Sequence, residues 1–501
     1  MKRLFISLFL ILFLTSIAWS QHLPKREFRG AWIHTVGNQQ FRTMSADSVK
    51  DLLRKTLDNF KKAGINAVIF QVRPQADAFY ISQIEPWSRF ITGEQGVAPD
   101  PLWDPLQFMI EESHARGMEL HAWCNPYRVT SNETEQLHPD HLYFRKPEIF
   151  KRYGSQLYFD PGEPESIKHT VRVIADIVNR YDVDAIHFDD YFYPYPIAFE
   201  EFHDDASFVK YAKNQGFEYW QKGDWRRNNV ATLIKALNDT IKAIKPWVRF
   251  GISPFGIHRN LKDTPDGSGS KTNGLSNYEQ LYADVPLWIK NGWIDYNVPQ
   301  IYWKIGHPAA DYKTLIEWWN NSDFGGHLYI GQNISTFTEP DLDNPAKTQF
   351  EAKMRMVREL PNVHGNVWWP GWSLNRNPSG FTDSLILRYQ RYPALIPQYR
   401  SIDSIPPVQV TKLKFRSGKI TWQHPEKSDP LQTAAFYAIY RFPDGVKTDI
   451  EDNRYLIEVT DKPEYLPLIK SGKKSRYTYI VTAIDRCWNE SLPSIGVTIK
   501  E

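Results

Sequence analysis

Two carboxylic acids stand side by side at the end of an apolar run, Asp184-Ala185-Ile186-His187-Phe188-Asp189-Asp190-Tyr191-Phe192-Tyr193-Pro194. Alternation along a strand puts His187 and Asp189 on one face, and Asp190 falls where the chain leaves the sheet. Adjacent carboxyls repel, which pushes one pKa upward and suits that group to donate a proton. Splitting a glycosidic bond asks for such a pair: one group protonates the leaving oxygen, and the other stabilises or attacks the anomeric centre. The competing structural reading has Asp189 capping a loop and Asp190 paired with Arg226 or Arg227.

Other run ends carry rings and polar groups: Trp32 and His34, Arg73 with Asp77 just beyond, Trp123, Asn125 and Tyr127, Gln300, Tyr302 and Trp303, and Trp368 and Trp369. Brought to one mouth, they match the stacking and hydrogen bonding that pyranose rings need. The rival chemistry is a metal held by His34, His121, His187 and Asp190. However, the first run has no His-x-His pair and the chain has no His-Glu-x-x-His, so no metal is expected. The Gly-x-Ser-x-Gly elbow, the P-loop and the dinucleotide-binding glycine turn are also missing, so no cofactor is expected.

Eight apolar runs must position these groups: Phe28–His34, Ala67–Val72, Met118–Cys124, Asp184–Asp189, Arg249–Ser253, Asp295–Tyr302, His327–Gln332 and Val363–Trp369. Between them lie stretches of helical spacing such as Ser45–Ala63, Pro105–Arg116, Ser166–Tyr181, Asn228–Lys245 and Asn277–Asn291. Eight strand–helix units predict an α/β fold, a (β/α)8 TIM barrel over 26–395. The long loops Arg73–Asp104, Asn125–Glu165, Tyr191–Arg227 and Pro254–Leu275 all follow strands, where barrels build their active sites. After a 396–407 linker with its stiff Ile405-Pro406-Pro407, residues 408–501 show only short alternating runs. They predict a small all-β sandwich resembling a fibronectin type III domain.

Lys2 and Arg3 precede an apolar stretch from Leu4 to Leu14, and small residues Ala18 and Ser20 follow. Residues 1–20 therefore read as a secretory signal peptide cleaved near Ser20/Gln21, too short to form a transmembrane span. Export to the periplasm or the extracellular space is expected. Lys+Arg number 60 against 58 Asp+Glu, and losing Lys2 and Arg3 makes the mature chain formally neutral. A nucleic-acid partner working through a basic surface is excluded. Only two cysteines occur, Cys124 and Cys487, so the fold relies on its core. The 18 Trp, 26 Tyr and 28 Phe suit a ring-lined cleft that reads sugar faces more than charge.

Ordered motifs carry a family resemblance. They are Phe28-Arg29-Gly30-Ala31-Trp32-Ile33, Gln71-Val72-Arg73-Pro74, Pro86-Trp87-Ser88, Ala122-Trp123-Cys124-Asn125-Pro126-Tyr127-Arg128 and Asp160-Pro161-Gly162. Asp224-Trp225-Arg226-Arg227, Ile252-Ser253-Pro254-Phe255-Gly256 and Pro299-Gln300-Ile301-Tyr302-Trp303 complete them. Together they resemble the glycosyl hydrolase-like family 10. The resemblance implies a TIM-barrel glycosidase acting on a polysaccharide or glycan oligomer. One branch of that family cuts peptide-stripped peptidoglycan between N-acetylmuramic acid and N-acetylglucosamine. Carboxylates placed like Asp189 and Asp190 are also similar to those of hexosaminidases in which the substrate's own 2-acetamido oxygen attacks the anomeric carbon. Asp189 would then orient the acetamide and Asp190 would act as the acid. An inverting route with Asp77 as base stays open if the two carboxyls lie ~6.5–9.5 Å apart. Two other readings also stand: a glycan-binding protein without hydrolysis, and an endo-glycosidase on another polysaccharide.

Overall fold

The computed structural model describes residues 23–322, 325–425, 429–468 and 475–500. The expected signal peptide lies outside them, and none of the described helices is long and apolar enough to cross a membrane. Eight parallel strands close into a barrel in chain order: β1 Phe28–Ile33, β2 Ala67–Arg73, β3 Glu119–Cys124, β4 Ala185–Phe188, β5 Arg249–Ile252, β6 Tyr296–Asn297, β7 His327–Asn333 and β8 Val363–Trp369. The expected TIM barrel is therefore present. Side-chain parity follows the pleat. Ile33, Val68, Phe70, Leu120, Ile186, Phe188 and Trp368 point outward into the core beneath the helices. Phe28, Trp32, Ile69, Trp123, Ala185, Tyr296 and Tyr329 fill the interior.

Helix starts follow the sequence. Asp104 accepts from the backbone N–H of Leu106 and Gln107 at 3.0 and 3.2 Å, with Pro105 in the first turn of Pro105–His114. Two expectations shift. The sixth strand shrinks from Asp295–Tyr302 to two residues, because Pro299 offers no N–H to a ladder. The helix before it covers only Val285–Lys290, and Asn277 instead braces the preceding loop, donating to the Phe255 carbonyl at 2.7 Å. One glycine is indispensable inside the barrel. A Cβ on Gly251 would lie 1.9 Å from the Tyr296 ring, which passes directly over it.

The C-terminal strands form two antiparallel sheets. One holds β9 Thr411–Arg416, β10 Lys419–Gln423 and β13 Glu464–Tyr465; the other holds β11 Phe436–Pro443, β12 Leu456–Thr460, β14 Arg476–Ile484 and β15 Val497–Lys500. Ile420 and Trp422 of the first sheet share a core with Tyr437, Ile439, Val481 and Ile499 of the second.

These sheets seal the floor of the barrel. Ile396 and Tyr399, expected in a linker, are buried, and the Tyr399 hydroxyl lies 2.7 Å from that of Tyr329. Trp488 is buried, stacks 5.6 Å from Phe436, and donates its indole N–H to Glu119 of β3. Arg249 of β5 reaches the Arg486 carbonyl at 2.6 Å. Cys124 and Cys487 are both free and buried. Trp488→Ala is expected to cost about 3–5 kcal/mol. Calorimetry should show barrel and sheets melting together in one lowered transition; an unshifted barrel transition would mean the two are independent.

Candidate active site

The floor of the site is an ordered hydrogen-bond chain. The Trp32 indole N–H donates to His187 Nε2 at 3.2 Å, which fixes that nitrogen as an acceptor. His187 Nδ1 therefore carries the proton and donates to the Tyr296 hydroxyl at 3.0 Å. Tyr296 in turn donates to His121 Nδ1 at 2.8 Å, and His121 Nε2 donates to Glu119 at 2.9 Å. Burial holds His187 well below the ordinary histidine pKa, so it is neutral. It is thus a scaffold beneath the cleft, not a wall of it. Both candidate metal histidines of the barrel interior have their ring nitrogens engaged. Among the described residues no three His, Cys, Asp or Glu side chains cluster closely enough to hold a metal ion.

Asp189 and Asp190 sit at the mouth of β4, 3% and 2% exposed. Asp189 accepts from the Trp123 indole at 3.1 Å, the Asn125 amide at 3.2 Å and the Tyr191 backbone N–H at 3.4 Å. Burial pushes its carboxyl up to about 7, Arg128 draws it down, and the Asp190 charge raises it again. Asp190 accepts from the Tyr195 hydroxyl. Burial raises its pKa too, against the pull of Tyr195 and Gln300. Neither acid is a structural ion pair. Arg226 is bound to Asp204 at 2.7 Å and Arg227 to Asp224 at 2.6 Å. Burial raises both carboxyls above the ordinary range, which suits the pair to hold and donate a proton, and the hydrogen bonds that Asp189 accepts from Trp123, Asn125 and the Tyr191 backbone favour its anion as an acceptor.

The cleft above them has a volume of about 160 Å³ and is walled by Trp32, Trp123, Asp189, Asp190, Tyr191, Gln300, Tyr302 and Trp369. All eight are candidates from the sequence. Asn125 lies behind Asp189, and His34 packs 4.9 Å from the Trp369 ring with its Nδ1 unpartnered. Four other candidates lie elsewhere. Arg73 is fully buried, pairs with Glu85 at 2.6 Å and donates to the Asn125 and Pro126 carbonyls, because a guanidinium inside the protein must be neutralised locally. Tyr127 turns into the core, and Trp303 packs 5.4 Å from Phe255. Asp77 organises its own loop: it accepts from the Gln75 backbone and the Gln95 amide, both at 3.2 Å, and does not line the cleft. Burial raises Asp77 to about 6.

Arg73→Met should therefore lower stability by about 3–5 kcal/mol, because it takes the guanidinium from buried Glu85 and leaves that carboxylate only His169, at 2.8 Å, as a side-chain partner. Thermal unfolding checks this, and an unchanged Tm with a raised KM would restore Arg73 to the substrate site.

Sequence reasoning missed Arg128, Ser253, Tyr195 and Val36, which complete the site together with Gln71, a polar group that the sequence offers at the end of β2. Gln71 accepts from the backbone N–H of Thr35 and Val36 at 3.0 and 2.9 Å and so sets the loop after β1. The Gln300 amide donates to the Ser253 carbonyl at 2.8 Å. Tyr195 carried a signal, being an aromatic with a hydroxyl five residues beyond Asp190.

Residues 27–348 match the profile of the family described as glycosyl hydrolase-like 10. Glycosyl hydrolase YngK of Bacillus subtilis (strain 168) is 42% identical over 514 residues, covering 99% of this chain and 98% of its own. Glycosyl hydrolase DigH of Escherichia coli (strain K12) is 37% identical over 376 residues, covering 70% of this chain and 84% of its own. Among solved structures, the PgaB (BpsB) glycoside hydrolase domain of Bordetella bronchiseptica aligns at 10% identity and a TM-score of 0.47, covering 72% of this chain and 98% of its own. The profile match and the relatives at 42% and 37% identity show that this chain, with its ring-lined cleft over two acids at a barrel strand's mouth, belongs to the glycosyl hydrolase-like 10 family and is a glycoside hydrolase.

Proposed function

We propose that the enzyme is exported and cleaves β-linked N-acetylated glycan, the peptide-stripped strands of peptidoglycan, with the 2-acetamido group of the substrate as nucleophile. One observation carries the mechanism: Asp189 and Asp190 are neighbours at one edge of the cleft, and among the described residues no third carboxylate lines it. A protein nucleophile facing the acid from across the bond is missing from that lining. The attacking group then comes from the substrate. Asp189, oriented by Trp123 and Asn125, accepts the acetamide N–H and polarises its carbonyl oxygen toward the anomeric carbon. Asp190, whose pKa burial raises, gives its proton to the leaving oxygen and afterwards takes one from the attacking water. The rings of Trp32, Trp123, Tyr191, Tyr302 and Trp369 suit stacking against sugar faces.

The motif resemblance and the charged-then-apolar N-terminus support a cell-wall substrate outside the cytoplasm. The deciding experiment digests denuded peptidoglycan, chitin oligomers and plant or host glycans, and reads the products by mass spectrometry. Muropeptide-free disaccharide repeats with new reducing ends are expected from the first. Cleavage confined to another polysaccharide would replace the substrate, and binding without new reducing ends would make the protein a lectin.

A further inference from the structure

The cleft was expected to read sugar faces rather than charge, yet it contains a guanidinium. Arg128 lines it beside Asp189, Asp190 and Tyr191, with only 8% of its surface exposed. The turn after β3 fixes it there: the Asn125 side-chain oxygen accepts from the backbone N–H of Tyr127 and Arg128 at 3.3 and 2.8 Å. The guanidinium lies 4.8 Å over the Tyr191 ring, Nη2 donates to the Pro74 carbonyl at 3.4 Å, and Nε is buried with no partner.

Among the described residues five arginines are buried, and the other four each hold a carboxylate. Arg29 has Glu27 at 2.7 Å, Arg73 has Glu85 at 2.6 Å, Arg226 has Asp204 at 2.7 Å, and Arg249 has Glu119. Arg128 has none within ion-pair distance among the described residues. The nearby acids already have their own donors, Trp123 and Asn125 for Asp189 and Tyr195 for Asp190. A desolvated guanidinium held by no direct ion pair is only partly compensated by the nearby charges of Asp189 and Asp190, and an anion bound to its free N–H groups removes the remaining cost.

We propose that Arg128 is the receptor for a carboxylate carried by the substrate, so that the enzyme selects a glycan with an acidic substituent on a sugar beside the bond it cuts. This rests on the glycan-cleaving reading above. The lactyl carboxylate of N-acetylmuramic acid has the required chemistry, whereas a polymer of N-acetylglucosamine alone offers nothing to this site.

The test compares denuded strands, the same strands with their carboxylates reduced to alcohols, and N-acetylglucosamine oligomers. Wild type should prefer native over carboxyl-reduced strands by about 100-fold in kcat/KM, mainly through KM. Arg128→Gln should bring that ratio close to one, and Arg128→Lys should leave it intermediate; thermal melts verify that both variants fold. The proposal is overturned if wild type cuts native and reduced strands equally. It is also overturned if Arg128→Gln loses the same factor on both while its pH profile moves, because Arg128 would then act only on Asp189. Wild type cutting none of the three would instead remove the substrate reading. Calorimetric titration of native against reduced strands then decides Arg128 alone: a preference lost in Arg128→Gln supports the receptor, and equal binding refutes it.

Discussion

Asp190→Asn is expected to lower kcat on glycan strands by about 10³-fold with little change in KM. Removing a positioned general acid typically costs 10²–10⁴. The amide fills the same volume and can still contact Tyr195, so the cleft keeps its shape and its rings keep their grip on the sugar. What disappears is the proton for the leaving oxygen, a contribution made only in the transition state. Two further readouts sharpen this. Substrates with an acidic leaving group, such as nitrophenyl glycosides, need little protonation and should lose far less. The basic limb of the pH–rate profile, which reports loss of the Asp190 proton, should vanish. Unimpaired turnover of native strands by the variant would remove Asp190 from the acid role.

The second large effect belongs to Asp189→Asn and has two parts with opposite signs. Activity should fall by about 10²–10³-fold, because an amide no longer accepts the acetamide N–H as an anion does. Stability should rise at alkaline pH. In the folded protein this carboxyl titrates near 7, against 3.8 for the free group. Its folded pKa is raised, so below pH 4 the acid is neutral in both states and folding carries no charge penalty. Between pH 4 and 7 the unfolded chain ionises this carboxyl while the folded protein keeps it protonated, so stability relative to the acid limit declines by up to about 4 kcal/mol and levels off above the folded pKa. The amide of the variant cannot ionise, so the Tm difference between variant and wild type should grow in the variant's favour from pH 4 to pH 8. A difference that stays flat across that range would mean Asp189 carries no such strain.

Much of this site was legible in the sequence because barrel strands obey a two-residue alternation. That rule sent His187 inward, placed Trp32 and Trp123 in the interior, and put both acids at the mouth of β4. It fails where the chain leaves the sheet. After Cys124 the backbone turns on Asn125, so Tyr127 enters the core and Arg128, one residue on, enters the cleft; spacing cannot give that rotation. Parity also separates the neighbours Trp368 and Trp369, the first packed against Phe337 and Phe381 outside the barrel, the second against Trp123 within it. Arg73 looked like a ligand because its partner Glu85 sits in a loop, and the sequence does not show which charges meet across loops.

The docked C-terminal sheets were the least legible feature. Each residue of that interface reads as ordinary core in its own segment: Tyr399 in an expected linker, Trp488 in a turn, and Glu119 at the start of β3. Only the fold shows that the indole of Trp488 and the guanidinium of Arg249 converge on Glu119. The hydrogen-bond chain from Trp32 ends on the same carboxylate. The floor of the cleft is thus braced from the far end of the barrel by a module none of whose described residues lines the cleft.

The acetamide-assisted reading makes one stereochemical demand. Attack by the substrate's own oxygen followed by water gives double displacement, so a β-linked strand must first release a β-configured reducing end. Proton NMR of denuded strands during the first minutes of digestion, before mutarotation mixes the anomers, reads this directly. The β-anomer signal should rise first and the α signal should follow at the rate of spontaneous mutarotation. An α-anomer appearing first would mean direct attack by water and return Asp77 to consideration as the base, contradicting substrate-assisted catalysis by the Asp189–Asp190 pair.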